Sequence, residues 1–219
     1  MVANRIDGVR PAIAERLWEA ARGEFSLRGY HGARVQGIAR RAGCNVALLY
    51  RHWTSKKALY QELLRSTWLG LVGSVVELAE RGRGAPAVVG AYLDAHLRDP
   101  VGAQIIIREL LDGGPFLNQL LEAEPQLIGP VRQAARALAE PQPADGAAVL
   151  RTGLDPTLAV LTIGGLAALF ASAHETTQPF LTTSVTSPED WRRHLYDMLL
   201  HGVLACPVSS AAAPASPGA

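Results

Sequence analysis

Residues 33–57 read ARVQGIARRAGCNVALLYRHWTSKK, and this stretch decides the fold. It holds two short amphipathic segments joined at Gly43, the second closing in an aromatic–basic cluster. Val35, Ile38, Ala39 and Ala42 recur at helical spacing, which predicts a helix over residues 34–42 that buries them and stops at Gly43. Asn45 can cap the next helix, whose inward residues are Leu49, Val46 and part of Tyr50. A helix-turn-helix lays its second helix in the major groove, so the segment points to a reader of duplex DNA.

The charge distribution agrees with that reading. The whole chain of 219 residues has a formal net charge of only +1. Residues 1–60 carry eleven Lys or Arg against four Asp or Glu, a balance of +7; the remainder carries ten against sixteen, or −6. A basic module for a polyanion, joined to a mildly acidic partner domain, accounts for the split. An apolar content of 48% suffices for a sizeable core, and with aromatics at 6% Leu, Ala and Val must fill most of it.

Cys44 and Cys206 lie far apart and fit no metal-ligand spacing. Two thiols make no disulfide framework, so a reducing cytoplasm is the expected setting. The N-terminal MVANRIDGVRP lacks the apolar run of a signal peptide. Residues 158–173 form the longest apolar stretch, but Thr162, Gly164, Gly165 and Ser172 interrupt it. It is short for a membrane span and reads as a buried helix, so no membrane is expected as a partner.

Apolar residues recur at helical spacing nearly throughout, and the fold class expected is all-α. A first helix over residues 11–28 carries Ile13, Leu17, Ala20, Ala21 and Phe25 on one face, with Gly29 as the left-handed residue beyond its end. Ser55 can cap a long helix with Leu59, Leu63, Leu64, Leu71, Val75 and Leu78 in its stripe. Further helices are expected over residues 86–98, 100–112, 115–139 (split by Pro125 and Pro130), 156–177 and 188–205. Asp155-Pro156 and Ser187-Pro188 each read as a cap followed by a first-turn proline. The division is a helix-turn-helix domain over residues 1–54, a helical effector-binding and dimerisation domain over 55–206, and a disordered Ser/Ala/Pro/Gly tail over 207–219.

Over residues 12–65 the chain resembles the N-terminal domain of TetR/AcrR-family transcriptional regulators. The resemblance rests on Phe25 followed by Arg28-Gly29-Tyr30, on Ile38-Ala39 before Ala42-Gly43, and on Leu49-Tyr50, His52-Trp53 and Ser55-Lys56 ahead of Ala58-Leu59-Tyr60. It implies that Tyr50 packs its ring inward and offers its hydroxyl to a phosphate, and that Lys56 faces a phosphate from the first turn of the long helix. Arg51 and His52 lie on the same path, His52 equally well as a structural residue; Trp53 reads as a core anchor. Val46, Ala47 and Leu48 fall at the positions that enter the groove, with Asn45 capping them and Gln36 approaching from the preceding helix. Three apolar side chains can meet thymine methyls but cannot read donors or acceptors, whereas Gln36 can bond adenine bidentately. A·T pairs are therefore expected opposite this surface. Arg34 can reach a phosphate or a base edge; Ala33 stands where the family often has a threonine cap, and Gly37 weakens its helix. Cys44 reads as a small buried hydrophobe.

The resemblance further implies a homodimer on a palindromic DNA site, built from the last two helices as a four-helix bundle. Gly164, Gly165, Ala168 and Ala171, with Trp191, Leu195, Met198 and Leu199, are the expected interface; the alternative is that they only fill the monomer core. An unidentified small-molecule effector is expected among the middle helices. Its candidate ligands are Tyr92, His96, Gln104, Arg108, Phe116, Asn118, Phe170 and His174, each of which has a purely structural alternative. No cofactor, metal site or catalytic constellation stands out. The expected function is a ligand-responsive regulator, a repressor released by its effector; an effector-independent nucleoid protein and an all-helical enzyme are the alternatives.

Overall fold

The computed structural model describes residues 12–81, 83–140, 150–180 and 187–203. Among these the architecture is helical throughout, with a helix-turn-helix domain at the N-terminus and a larger helical domain after it. Helix α1 (Ala12–Gly32) runs one turn beyond the expected end, because the backbone continues helically past a break at Gly29. That residue has φ 64°, a region glycine enters without the steric cost a Cβ would bring. Helix α2 (Val35–Arg41) and helix α3 (Val46–His52) follow, seven residues each, separated by a turn with Gly43 at φ 66°. The expected cap of α3 is present: the Leu48 N–H donates to Asn45 Oδ1 at 3.0 Å.

Helix α4 (Lys56–Glu80) starts at Ser55, whose Oγ accepts from the Ala58 N–H at 3.0 Å. It crosses from the reader into the second domain. Helix α5 (Ala85–Arg98) ends at Asp99, which in turn caps helix α6 (Pro100–Leu111) through the Gly102 N–H at 2.9 Å. The expected 115–139 segment divides at its prolines into helix α7 (Pro115–Ala123), a 3₁₀ turn (Pro125–Ile128) and helix α8 (Gly129–Ala139). Proline has no N–H to continue the ladder, so the break follows from the sequence. Helix α9 (Pro156–Thr177) and helix α10 (Pro188–Val203) begin at the expected caps. Asp155 accepts from the Leu158 N–H at 2.7 Å, and Ser187 with Asp190 forms a reciprocal capping box.

Two large hydrophobic clusters hold these helices, with a small third one where Ala103 of α6 meets Ala168 and Ala171 of α9. One joins Leu17, Trp18, Phe25, Ile38, Leu49 and Trp53 of the reader to Leu59, Tyr60, Leu63 and Leu64 of α4 and to α6 and α7. The boundary expected at residues 54 and 55 therefore runs through a continuous core. The other joins the distal part of α4 to α5, α8, α9 and α10. Trp53 is the anchor expected of it: its ring stacks on Trp18 at 6.3 Å, and its Nε1 donates to Glu62 Oε2 at 2.8 Å.

Helix α9 departs from its expected burial. Of the apolar window Pro156–Ala173 only a third is buried, and Leu158, Leu161 and Leu169 face outward. By length and composition this one helix could cross a membrane, yet its other side packs on α5, α6 and α8. A helix apolar all round is usually covered on all sides, and here one side is open. Cys206 and residues 207–219 lie outside the described residues.

Candidate nucleic-acid interface

A seven-residue α3 has room for one fully inward side chain, and Leu49 takes it at 0% exposure. Val46 and Cys44 lean partly against the core, while Asn45, Ala47 and Arg51 are exposed and Leu48 is half-buried. Tyr50 follows Leu49 by about 100° around the helix and is 49% exposed. About half of its surface is therefore covered by the fold and half is open to a partner. Arg34 and Gln36 are exposed on α2. Arg34 occupies the N-cap position of α2 and makes no side-chain cap bond there, as expected of a start without threonine.

Lys56 is held more tightly than a free phosphate anchor. Its ammonium donates to the Ala33 carbonyl at 2.8 Å and lies 4.5 Å over the Tyr30 ring. Burial lowers its pKa. The carbonyl just ahead of α2 and the tyrosine π-face together offer this cation an internal seat, so Lys56 ties α4 to the start of α2. His52 is half-buried with its ring 5.6 Å from Trp53. Arg51 carries no partner among the described residues.

Sequence reasoning passed over a further group beside this surface. Glu24 is buried on α1 and pairs with Arg28 and Arg41; Arg40 is exposed next to them. The signals were the Glu24–Arg28 spacing of four and the Arg40-Arg41 pair.

Two polar contacts hold α6, one to α1 of the reader and one to the start of α4. Arg22 of α1 pairs with Asp99 at one end of α6. At the other end Glu109, 1% exposed, accepts from Tyr60 Oη at 2.9 Å and from the Phe116 and Leu117 N–H groups at 2.7 and 2.9 Å. Burial, with the Glu109 carboxylate alongside, raises the Tyr60 pKa, so the phenol stays a donor.

The eight candidate effector ligands do not converge on one place. Tyr92 and His96 are buried neighbours on α5, with His96 Nδ1 2.7 Å from the Tyr92 carbonyl oxygen and the rings 6.2 Å apart. Burial pushes the His96 pKa down and the Tyr92 pKa up. Phe170 is half-buried, 6.0 Å from Trp191. Gln104 and Arg108 are half-buried on α6 and Asn118 is exposed on α7. Phe116 lies instead at the reader junction, 4.1 Å from Tyr30 and 5.3 Å from Tyr60. The side chain of His174 lies outside the described residues. An open depression of about 570 Å³ between α5, the end of α4 and α10 is lined by none of the seven whose side chains are described. It is lined by Arg83, Asp94, Arg98, Arg192 and Tyr196, with Arg192 bonded to Asp94.

The expected interface residues divide. Ala168, Ala171, Trp191, Leu195 and Leu199 are buried within the monomer, as in the core-filling alternative. Gly164 and Gly165 are half-buried; Met198 is 64% exposed. Among the described residues no group of three or more His, Cys, Asp or Glu side chains could hold a metal ion.

A short two-helix reader with an exposed cationic face, set on an all-helical second domain, defines a helix-turn-helix transcriptional regulator. Residues 17–63 match the family model for bacterial regulatory proteins of the tetR family. The chain is 42% identical over 50 residues to the uncharacterized HTH-type transcriptional regulator YdgC of Bacillus subtilis, a match spanning 23% of this chain and 26% of that protein. It is 26% identical over 212 residues to the HTH-type transcriptional repressor NicS of Pseudomonas putida, spanning 91% of this chain and 98% of that one. Among solved structures, the ketosteroid transcriptional regulator KstR2 of Mycobacterium tuberculosis superposes with a TM-score of 0.60 at 18% identity, covering 90% of this chain and 97% of that one. The reader is thus similar to the DNA-binding domain of tetR-family regulators, and the fold as a whole to those of solved transcriptional regulators.

Proposed function

We propose that this regulator is a repressor that binds a palindromic operator as a homodimer and is released by a small-molecule effector. The observation that carries the ligand response is the pair of polar ties on α6. Because Arg22–Asp99 ties one end of α6 to α1 and Tyr60–Glu109 ties the other to the start of α4, just behind the recognition helix, a ligand that displaces α6 must also move α1 or α4 or break those contacts. Repression is the sign carried by NicS, which aligns with nearly the whole chain.

The dimer reading is supported by α9. Leu158, Leu161 and Leu169 lie at helical spacing on its open side with Gly165 between them, and Met198 is likewise exposed on α10. A second copy pairing the same helices would cover it. Arg34, Gln36, Asn45, Val46, Ala47, Leu48, Tyr50, Arg51 and His52 form the DNA-facing surface in this reading, and Lys56 braces it from behind.

Selection of binding sites from random duplex DNA tests the reader. An inverted repeat with A·T pairs opposite the α3 tip is the expected result, and Gln36→Ala should relax the preference at one adenine. Unchanged base preference in that variant would refute the Gln36 assignment. Release of the selected duplex by a small molecule tests the effector, and a regulator that no ligand releases would be the effector-independent alternative.

A further inference from the structure

Glu24 occupies an inward position on α1, beside Phe25, and is 5% exposed. A buried carboxylate is tolerated only when paired. Its Oε1 lies 3.2 Å from Arg28 Nε, one turn on along α1, and its Oε2 lies 3.7 Å from Arg41 Nη2 on α2. Helix α2 passes over the carboxylate at Gly37, where a Cβ would come within 3.0 Å of Oε1. This close approach gives Gly37 a reason that helix propensity alone does not.

The pairing leaves the two guanidinium groups anchored at one edge and open at the other, with Arg28 60% and Arg41 48% exposed. Arg34 and Arg40 stand beside them, exposed and without a partner among the described residues. These four arginines, Glu24 and Gln36 line one surface depression of about 650 Å³, which therefore carries a net charge of +3. When the second helix of a helix-turn-helix enters the major groove, the first crosses the sugar–phosphate backbone. Guanidinium forks match phosphate oxygens, and forks already fixed by a carboxylate lose less freedom on binding.

We infer that the α1–α2 depression is a phosphodiester cradle, flanking the recognition helix, in which Arg28, Arg34, Arg40 and Arg41 contact the DNA backbone and Glu24 is the positioning residue that fixes Arg28 and Arg41. This rests on the DNA-reading proposal above and extends the footprint beyond α3.

The test uses the full chain and a fluorescent duplex of random sequence, titrated from about 50 to 200 mM salt. Arg40→Ala breaks no internal ion pair and should weaken binding uniformly across sequences, with the slope of log K against log salt falling by about 1. Arg41→Ala should do the same, and Arg136→Ala, exposed on α8, should leave the slope as it was. Because Arg41→Ala also strips Glu24 of a partner, the double variant with Glu24→Gln separates the two roles. A cradle predicts that the double variant regains thermal stability but keeps the reduced slope. A slope restored to wild type would make Arg41 purely structural and overturn the inference, as would unchanged slopes in both single variants. Inorganic phosphate at matched ionic strength should compete no better than chloride; selective competition would mark a free-anion site instead. If the wild-type chain binds no duplex at all, the DNA reading fails first and the cradle with it.

Discussion

Around α2 and α3 the side chains left without partners are cations: Arg34, Arg40 and Arg51 stand exposed with no ion pair among the described residues. Along α9 and α10 the unmatched groups are hydrocarbon, from Leu158 to Met198. Each surface is costly to leave as it is, but for a different reason, and each specifies a different partner. Clustered cations repel one another and attract a polyanion over a distance set by salt. An open apolar stripe attracts only a surface that fits it, and salt hardly affects that attraction. In this reading one face finds DNA and the other finds a second copy of the chain, with α6 between them.

The sharpest way to break this contrast is to put charge on the apolar face. Leu161→Glu places a carboxylate at a position 51% exposed in the monomer. We expect the helical circular dichroism to persist while sedimentation shows a monomer. Affinity for a palindromic duplex should then fall by about 100-fold or more, since the two readers no longer bind as one unit. A Leu161→Glu protein that remains dimeric would move the interface off this stripe.

The joint between the two faces should be nearly as sensitive. Glu109→Ala leaves the Tyr60 hydroxyl and the Phe116 and Leu117 N–H groups buried without their acceptor. Stability should drop by about 3 kcal/mol, read as a shift in the urea midpoint. Glu109→Gln, which keeps one acceptor oxygen, should lose less. Equal losses in the two variants would mean that Glu109 acts through its charge rather than its hydrogen bonds.

How far the sequence announced these regions follows the range of the forces involved. Caps and breaks are local, so Asn45, Ser55, Asp155 and Ser187 could be placed from a few neighbouring residues, as could the division at Pro125. The reader was legible because its aromatic, glycine and basic residues recur at fixed spacing. The direction in which a residue faces within a packed domain depends on partners far along the chain. Nothing near Trp191 or Leu195 in sequence says that the monomer core claims them, and nothing near Leu161 says that it is left outside. Phe116 likewise looked like a pocket wall until α7 set it against Tyr30 and Tyr60. Glu24 reads as one more acidic residue until α2 closes over it at Gly37.

A moderate effect is expected from pH, again in the domain away from DNA. Burial holds the His96 pKa below its ordinary value, so the folded chain prefers the neutral ring more than the unfolded chain does. Between the lowered folded pKa and the unfolded value near 6.5 the unfolded state binds one proton more, and stability rises with pH through that window. The contribution is fully present above about pH 6.5 and declines below it, by up to about 1.4 kcal/mol per pH unit. Unfolding midpoints measured from pH 5 to 8 should show the slope in the wild type and a flatter one in His96→Gln. Identical slopes would remove His96 from the account.

The smallest expected effect separates support of the reader from contact with DNA. Asn45 and Arg34 occupy equivalent N-cap positions on α3 and α2, but only Asn45 makes a cap bond. Asn45→Ala should therefore cost about 1 kcal/mol of stability and speed hydrogen exchange at the Leu48 amide. Arg34→Ala should change stability by less than about 0.5 kcal/mol, because the side chain is exposed and bonds nothing among the described residues. Its cost should show instead in DNA binding, as a reduced salt slope. If Arg34→Ala destabilised the reader as much as Asn45→Ala does, the arginine would be part of the scaffold, and the cationic face would lose one of its free charges.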